Sequence, residues 1–460
     1  LLSIITEAAE AHPACGQLLA AFAAYAAMTP ARPGPVARPR HTEAVGALIG
    51  AGGVIARGNG RAYGDSAMGA AATLDLRRLN RMLSFDAEAG RLVAEAGVLL
   101  GDVIATFLPR GWFPWVTPGT KFVTLGGAIA ADVHGKNHHR DGAFGTFVDW
   151  IDVMGADGAV TRASREKNAE LFAWTLGGMG LTGVILRAAI RLRPVESGWI
   201  AQTTIPAQNL AEAMAAFESA DDATYSVAWI DCLASGAALG RSLVMTGEHV
   251  PADDLPREHR TQPCRTPPKR RLSVPFDAPA AALNRLSVRA FNALYWRRAL
   301  RAPREALVDW DSYFYPLDAI LGWNRIYGHR GFVQFQCALP LARSEAGLRA
   351  LLSETSAAGQ GSFLAVLKRF GAQESRFSFP MEGYTLALDF PANPRTLALL
   401  DRLDAIAAEH GGRFYLAKDA RLSAATLHRV DPRAAAFRAM RRETGCDGAF
   451  ASAQSERLLL

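Results

Sequence analysis

Residues 117–145 read TPGTKFVTLGGAIAADVHGKNHHRDGAFG, and the rest of the chain is best interpreted outward from them. Small residues fill the first half of this segment. The second half carries His134, Lys136, Asn137, His138 and His139, followed by Gly142 and Gly145. Glycine lets a backbone approach a ligand closely, and successive backbone N–H groups in such loops form cradles for phosphate oxygens. We therefore expect this segment to bind a phosphate-bearing cofactor.

A second glycine-rich loop, RGNGRAYGD at 57–65, lies upstream, and a third segment, GGMGLTG at 177–183, lies downstream. The first loop follows an apolar segment typical of a strand, but the turn-like residues after it do not open a helix. This disfavours a nicotinamide-type dinucleotide fold, and no GxxxxGK[ST] motif is present. A glycine cluster alone usually marks only a turn. Together the clusters predict that the loops at 57–65 and 117–145 hold the pyrophosphate and isoalloxazine of one flavin.

The composition describes a large globular protein with a mild basic excess. The chain has 460 residues, of which half are hydrophobic and 20% are charged, and its net charge is +6. The length suits two or three domains. The positive charge fits an anionic ligand or an anionic membrane surface, and it equally fits an ordinary solvated surface. We predict no nucleic-acid partner.

The cysteine pattern and the hydropathy of the chain indicate its cellular location. The five cysteines are scattered without a CxxC pair, which argues against zinc or a disulfide framework and favours a reducing compartment. The most apolar early segment spans about a dozen residues, too few to cross a bilayer. The N-terminal residues lack the basic region of a signal peptide. The expected location is cytoplasmic, or peripheral at the inner membrane.

Strand-like and helix-like segments alternate without a regular βαβ rhythm, which predicts an α+β fold in two parts. The flavin-binding part is expected to comprise 1–195 and 411–460, and the substrate part 196–410. Residues 249–279 have little periodicity and predict a long mobile basic loop. Its basic run at 265–271 is either simply solvated or in contact with anionic lipid. A helix over 1–28 and a Pro/Arg linker over 30–39 are also expected.

Two clusters of polar residues leave alternatives open. His134, His138 and His139 suggest a metal, but no carboxylate has ligand spacing to them and Lys136 would repel a cation. We predict no metal, and a histidine that orients substrate or moves a proton instead. Lys418 and Asp419 follow an apparent strand at 413–417. They face either a cleft or solvent, as a surface ion pair.

Six segments resemble one known family. Besides 117–145, they are ARGNGRAYGD (56–65), GGMGLTGVI (177–185), YFYPLDAILGWNRIYGHRGFVQFQ (313–336), VLKRFG (366–371) and GGRFYLAKDAR (411–421). The chain resembles the decaprenylphosphoryl-β-D-ribose 2-oxidases, the flavin subunits of arabinose-donor epimerases, within the vanillyl-alcohol-oxidase (PCMH) type of FAD proteins. The similarity runs from about Pro39 to the C-terminus. HGKNHH and YLAKD are the most specific matches.

The resemblance implies a two-part FAD fold with the cofactor bound without a covalent link. Covalent members of the superfamily attach flavin through a histidine in the first glycine loop, where this chain has Tyr63. The positions that the family uses for FAD are Arg57, Gly58, Asn59, Gly60, Arg61, Ala62, Tyr63, Pro118, Gly119, Thr120, Thr124, Gly126, Gly127, Ala130, Asp132, Gly135, Asn137, His138, His139, Gly142, Gly183, Ile185 and Tyr415.

The resemblance also implies an enzyme that oxidises the C2 hydroxyl of a polyprenylphosphoryl-β-D-ribose, the first half of a 2-epimerisation for cell-wall arabinan. Lys418 is the first candidate for handling the hydroxyl proton, and His134 the second. The implied substrate-binding residues are Tyr63, Lys136, Trp229, Tyr315, Gln334, Gln336, Lys368, Thr385 and Ala387. An NAD(P)H-dependent keto-reductase would complete the epimerisation, with quinone or oxygen as electron acceptor.

Two departures and two alternatives accompany this interpretation. Ala387 stands where mycobacterial members have a pocket cysteine, and Thr385 where they have an asparagine, so inhibitors that form an adduct with that cysteine should not attach. One alternative is an oxidase of free alditols or aldonolactones. The other is a non-catalytic subunit with a flavin fold, which the retained Lys418 and His134 argue against.

Overall fold

The computed structural model describes residues 34–269, 272–279, 282–362 and 364–460. The strands in these ranges are β1 (Val36–Ala37), β2 (Val54–Arg57), β3 (Ala72–Asp75), β4 (Met82–Asp86), β5 (Arg91–Glu95), β6 (Trp112–Pro114), β7 (Val148–Met154), β8 (Val160–Ser164), β9 (Val184–Pro194), β10 (Trp199–Ala207), β11 (Tyr225–Ile230), β12 (Ser242–His249), β13 (Leu272–Ser273), β14 (Glu305–Asp309), β15 (Ile320–Leu321), β16 (Phe332–Pro340), β17 (Val366–Phe370), β18 (Gly383–Pro391) and β19 (Arg413–Phe414).

The helices in the same ranges are α1 (Thr42–Ile49), α2 (Leu100–Phe107), α3 (Leu125–Ala130), α4 (His138–Asp141), α5 (Ala169–Thr175), α6 (Leu210–Ser219), α7 (Arg257–Arg260), α8 (Arg285–Arg301), α9 (Trp310–Phe314), α10 (Leu341–Ala358), α11 (Pro394–Glu409), α12 (Ala424–Val430), α13 (Arg433–Glu443), α14 (Cys446–Ala449) and α15 (Ala453–Leu458). No helix among the described residues is both long and apolar enough to cross a bilayer.

The strands form two large sheets and two small ones. A parallel three-stranded sheet has the order β1-β3-β2, and β13 pairs with β15. A six-stranded antiparallel sheet has the order β4-β5-β9-β7-β8, with β6 also paired to β9. An eight-stranded sheet has the order β14-β10-β12-β11-β17-β18-β16-β19. The mixture of sheets and segregated helices is an α+β fold, as the sequence predicts.

The eight-stranded sheet presents one face to helices and the other to a cavity. Alternate residues of a strand point to opposite faces. Phe335 and Leu388 are paired across β16 and β18 and are buried in the core that holds Leu351 of α10 and Leu403 of α11. The residues between them on each strand therefore face the other way, toward the cavity described below.

Most predicted elements are present with small shifts at their ends. The amphipathic pattern of residues 394–409 predicts a helix, and α11 has these bounds. Asn393 caps it by accepting from Thr396 N at 3.0 Å, and Pro394 occupies its first turn. The strand predicted at 413–417 is shorter, because a 3-10 turn at Leu416–Lys418 follows β19 and turns Lys418 inward.

The sequence missed several elements. The 17-residue helix α8 was not predicted, because arginine and apolar residues alternate on it without a clean helical stripe. The predicted linker over 30–39 contains β1, and the predicted loop over 249–279 contains α7 and β13. The helix predicted over 1–28, the start of that linker, and positions 270 and 271 of the predicted loop lie outside the described residues. So does residue 363, the first of a strand that the sequence predicts over 363–370.

The predicted domain division stays a prediction. Strands from residues 36–194 build the three-stranded and six-stranded sheets, and strands from 199–414 build the eight-stranded sheet. The residues from 424 onward form helices, and Ala451 N bonds to Val54 O of β2 at 3.0 Å, so the C-terminal segment contacts the N-terminal sheet.

Candidate active site

A cavity of about 490 Å³ lies where the two predicted glycine loops meet the free face of the eight-stranded sheet. Its volume falls in the range of small-molecule and cofactor sites. The predicted site residues that line it are Gly58, Asn59, Gly60, Arg61, Ala62, Tyr63, Pro118, Gly119, Thr120, Thr124, Gly127, Ala130, His134, Lys136, Trp229, Gln334, Gln336, Lys368, Thr385, Ala387, Tyr415 and Lys418.

The first glycine loop leaves β2 at the cavity edge. Gly58 fits closely against the second loop, since a Cβ there would come 2.0 Å from Thr124 Oγ1. Gly60 has a φ of +60°, which glycine adopts without strain. Among the described residues, the backbone N–H groups of Gly58, Asn59 and Gly60 meet no hydrogen-bond acceptor. They form an open cradle of donors.

The second loop continues into the short helix α3. Thr124 caps this helix by accepting from Gly127 N at 3.2 Å, and the Asn59 side chain donates to Phe122 O at 2.9 Å. The two loops are thus joined by the Asn59 side-chain hydrogen bond as well as by the close fit of Gly58 against Thr124. Ala130 on the cavity side of α3 is small, which leaves room for a flat ligand.

Lys418 is partly buried beside an aromatic ring and a carboxylate. Its Nζ lies 3.3 Å from the centroid of the Tyr63 ring. Burial lowers the pKa of Lys418 to about 8; the charge of Asp389 opposes this change and that of Lys368 adds to it. Burial likewise raises the pKa of Asp389 to about 7, against the charge of Lys418 and a hydrogen bond from Gln334. Burial thus moves the pKa values of both groups toward neutrality from their usual ranges.

His134 is held among donors. Its Nε2 lies 3.1 Å from Gln336 Nε2, and its Nδ1 lies 3.5 Å from Lys368 Nζ. A neutral imidazole has one acceptor nitrogen, so these two donors compete for one lone pair. Burial, followed by the charge of Lys368, holds the pKa of His134 well below its usual value. His134 is accordingly neutral and a weak base.

Two further lysines give the cavity a positive interior. Burial lowers the pKa of Lys368 to about 8. Burial, aided by the charge of Lys368, lowers the pKa of Lys136 to about 7. Lys136 donates to Tyr313 O and lies 4.0 Å from the Tyr313 ring centroid. Within the described part of the chain, Asp389 is the one carboxylate that lines the cavity.

Several predicted site residues lie behind the cavity surface rather than on it. They are Arg57, Gly126, Asp132, Gly135, Asn137, His138, His139, Gly142, Gly183, Ile185 and Tyr315. Their predicted roles toward ligands remain predictions, and their observed contacts hold the loops in shape. Asp132, for example, accepts from Gly145 N at 2.7 Å and from Ser378 Oγ at 2.6 Å.

The HGKNHH segment is anchored by hydrogen bonds that leave only part of it in the cavity. His138 Nε2 lies 2.7 Å from Gln373 Oε1, and His139 Nε2 lies 2.8 Å from Ala223 O. Asn137 donates to Trp115 O at 2.7 Å. In the ranges that the structure describes, no three His, Cys, Asp or Glu side chains are grouped as metal ligands.

Asp389 is the main residue that sequence reasoning missed. It follows Thr385 and Ala387 at the two-residue spacing of one strand face, and the alternation over 384–390 predicts a strand there, which is β18. The alternation of residues along this strand could therefore have placed Asp389 in the cavity from the sequence. Phe291 and Tyr295 of α8 also line the cavity and were missed because their helix was missed.

Comparisons with known proteins give this cavity a context. The FAD binding domain family matches residues 33–164. This chain is 36% identical to decaprenylphosphoryl-beta-D-ribose oxidase of Mycolicibacterium smegmatis, over 89% of this chain and 90% of that enzyme. An uncharacterized protein in the mprA 5'region of Streptomyces coelicolor is 35% identical over 76% of this chain and 97% of that protein. L-Gulonolactone oxidase of Mus musculus is 29% identical over 30% of this chain and 31% of that enzyme.

The cavity residues fit FAD. The matched domain contains both glycine loops, and their open N–H groups at Gly58, Asn59 and Gly60 suit phosphate oxygens. Gly119 has open space where a Cβ would stand, so a ligand can lie directly against the backbone there. Across the cavity, the buried Gln334 Oε1 meets no donor among the described residues, which leaves an acceptor for a ligand hydroxyl or N–H group.

Proposed function

The chain belongs to the family of the decaprenylphosphoryl-β-D-ribose oxidases, FAD-dependent oxidoreductases, and from this we propose that it oxidises the C2 hydroxyl of a polyprenylphosphoryl-β-D-ribose to the 2-keto sugar. The observation that carries the proposal is the charge of the cavity. Lys136, Lys368 and Lys418 line it together with a single carboxylate, Asp389. A pentose joined to a lipid phosphate brings the negative charge that such an interior lacks.

The proton of the reacting hydroxyl is assigned to Lys418. When bound, FAD supplies the acceptor for the hydride that leaves C2. A lysine with a pKa near 8 is partly neutral at physiological pH and can take the hydroxyl proton as the C2–O bond becomes a carbonyl. Asp389 stabilises the lysinium that results, because opposite buried charges attract.

The neighbouring side chains orient the sugar. The low pKa of His134 makes it a weaker candidate for the base than Lys418. Because neutral His134 accepts from only one of Lys368 and Gln336, the other can donate to a phosphate or a hydroxyl of the substrate. Thr385 accepts from Gln336 at 3.2 Å and donates to Cys337 O at 2.8 Å, which holds the Gln336 amide in the cavity.

Several further assignments complete the proposal. FAD is held without a covalent bond, since Tyr63 occupies the place of the attachment histidine. The 2-keto product passes to a separate NAD(P)H-dependent keto-reductase, and quinone or oxygen accepts the electrons. Together these steps form a 2-epimerisation that supplies arabinose for cell-envelope glycan. The enzyme works at a membrane surface, where its lipid substrate resides.

An anaerobic visible spectrum of the purified, FAD-loaded protein tests the proposal. Addition of a polyprenylphosphoryl ribose should bleach the flavin band, and free ribitol or an aldonolactone should leave it unchanged. Bleaching by the free polyol or lactone alone would replace the proposal with an alditol or aldonolactone oxidase. A flavin that no donor of either class reduces would contradict the catalytic assignment and favour a binding subunit.

A further inference from the structure

Helix α8 leaves most of its surface uncovered. Val288, Asn292 and Trp296, four residues apart, form its buried face, and Trp296 packs on Trp229 and Leu243 of the eight-stranded sheet. The remaining faces are open to solvent. Asn284 and Ser287 close a capping box at the N-terminus of the helix.

Large apolar side chains are concentrated on and around this helix. Thirteen large hydrophobic side chains are exposed in the described part of the chain, and eight of them lie between residues 272 and 307. Those on α8 are Leu286, Phe291, Leu294, Tyr295 and Leu300, with Leu286 and Leu294 exposed by 77% and 69%. Single exposed hydrophobic residues need no explanation, but a cluster of this kind indicates an interaction surface.

The same segment is strongly basic. It carries Arg285, Arg289, Arg297, Arg298, Arg301 and Arg304, and no aspartate or glutamate occurs from residue 278 to residue 304. None of the six forms a salt bridge with another described residue. The surface therefore combines apolar side chains with unneutralised positive charge.

This surface adjoins the cavity of the candidate active site. Phe291 and Tyr295 line the cavity, yet they are 44% and 38% exposed. A residue that is both exposed and part of the lining marks a place where the cavity reaches the surface. One end of the cavity therefore opens beside α8.

We propose that α8 docks on an anionic lipid bilayer and presents the cavity mouth to the membrane. This inference rests on the proposed lipid substrate: a cavity of about 490 Å³ that also receives FAD has no room for a polyprenyl tail, so the tail stays outside. The helix lies in the membrane plane, with Leu286, Leu294 and Leu300 inserted among the lipids. Its arginines bury their stems and keep their charged ends at the phosphates.

The charge pattern favours a bilayer over a protein partner. Arginines surround the leucines on the open side of α8 with no acidic residue to select an orientation. A bilayer of anionic lipids satisfies such a pattern at every position. A protein partner would have to offer acidic groups between apolar pockets along a helix about 25 Å long.

Flotation of the FAD-loaded protein with vesicles tests the inference. Wild type should bind phosphatidylcholine vesicles that contain phosphatidylglycerol, bind pure phosphatidylcholine weakly, and lose binding as salt rises. The triple variant Arg289→Glu, Arg297→Glu, Arg301→Glu should bind the anionic vesicles about 100-fold more weakly or worse. Leu286→Gln, Leu294→Gln, Leu300→Gln should also weaken binding.

Matched triples elsewhere on the surface serve as controls. Arg395→Glu, Arg429→Glu, Arg442→Glu changes the net charge equally. Leu83→Gln, Val160→Gln, Leu341→Gln removes three other large apolar side chains that are at least 40% exposed. Both should bind vesicles like wild type. Failure of wild type to bind anionic vesicles, or equal losses in the control and α8 triples, would overturn the inference. The inference would also be overturned if the α8 variants still bound anionic vesicles but no longer bound a protein partner that wild type binds.

A second readout separates this inference from the proposed function. The α8 variants should reduce their flavin normally with a water-soluble, short-chain prenylphosphoryl ribose and slowly with the long-chain lipid in vesicles. Equal rates with both substrates would contradict a role for α8 in lipid access. If wild type docks through α8 but neither ribose lipid reduces the flavin, the docking stands and the proposed substrate is wrong.

Discussion

Replacing Asp389 with asparagine removes the one carboxylate that lines the described cavity and keeps an oxygen that accepts from Gln334. Burial lowers the pKa of Lys418 to about 8, and Asp389 opposes that decrease. An opposite charge nearby shifts a pKa by about 1 to 3 units. The substitution should therefore bring the pKa of Lys418 to about 7 or below.

The expected consequence is a change in the pH profile of flavin reduction. If neutral Lys418 takes the hydroxyl proton, the rate rises with pH through its pKa. Lowering that pKa from about 8 to about 7 increases the neutral fraction at pH 7 from about one tenth to about one half. Relative to the alkaline plateau, the rate at pH 7 should rise about five-fold.

Stopped-flow reduction under anaerobic conditions and saturating substrate measures this profile. Lys368→Met should shift the midpoint of the pH profile in the opposite direction. Because the charge of Lys368 helps to lower the pKa of Lys418, its loss should move the midpoint to higher pH. Asp318→Asn is the matched control, because Asp318 acts on Tyr63 and is not among the charges that act on Lys418. A midpoint that stays unchanged or rises in Asp389→Asn would refute the assignment of Lys418 as the base.

Three further results are expected. Lys418→Met should keep the flavin bound and slow its reduction by about 100-fold or more, the usual contribution of a general base; normal reduction would discard the base assignment. Gly58→Ala should cost about 1–3 kcal/mol of folding stability by overpacking, because its Cβ would meet Thr124 Oγ1, and should therefore lower the melting temperature and FAD retention. The control Gly448→Ala meets nothing within 4 Å and should melt like wild type; equal melting of both variants would contradict the close fit of the loops. Ala387→Cys should give a cavity thiol that a thiol-reactive ligand labels, as read by mass spectrometry, and bound substrate should slow this labelling. Labelling of wild type should not depend on substrate. If substrate does not slow labelling of the variant, the placement of Ala387 in the cavity is contradicted.

Much of the site could be predicted from short motifs. The loop at 57–65, the segment at 117–145 and the YLAKD motif each bring their own residues, and Tyr63, His134 and Lys418 line one cavity. Such motifs act locally, because the backbone turns and the small residues within a loop already specify where its ligand groups point. The α+β class also follows from local patterns, since the periodicities of two and of 3.6 residues are visible in single segments.

The sequence by itself therefore determined the family, the cofactor loops and the identity of the proposed base. Only the tertiary structure decided what surrounds that base. Asp389 and Gln334 are paired across β18 and β16, 55 residues apart in the chain, and strand register between distant segments is not visible in either segment alone. The position of α8 at the cavity mouth was likewise decided by long-range packing, because its mixed arginine and leucine surface specifies no buried face until Trp296 meets the sheet.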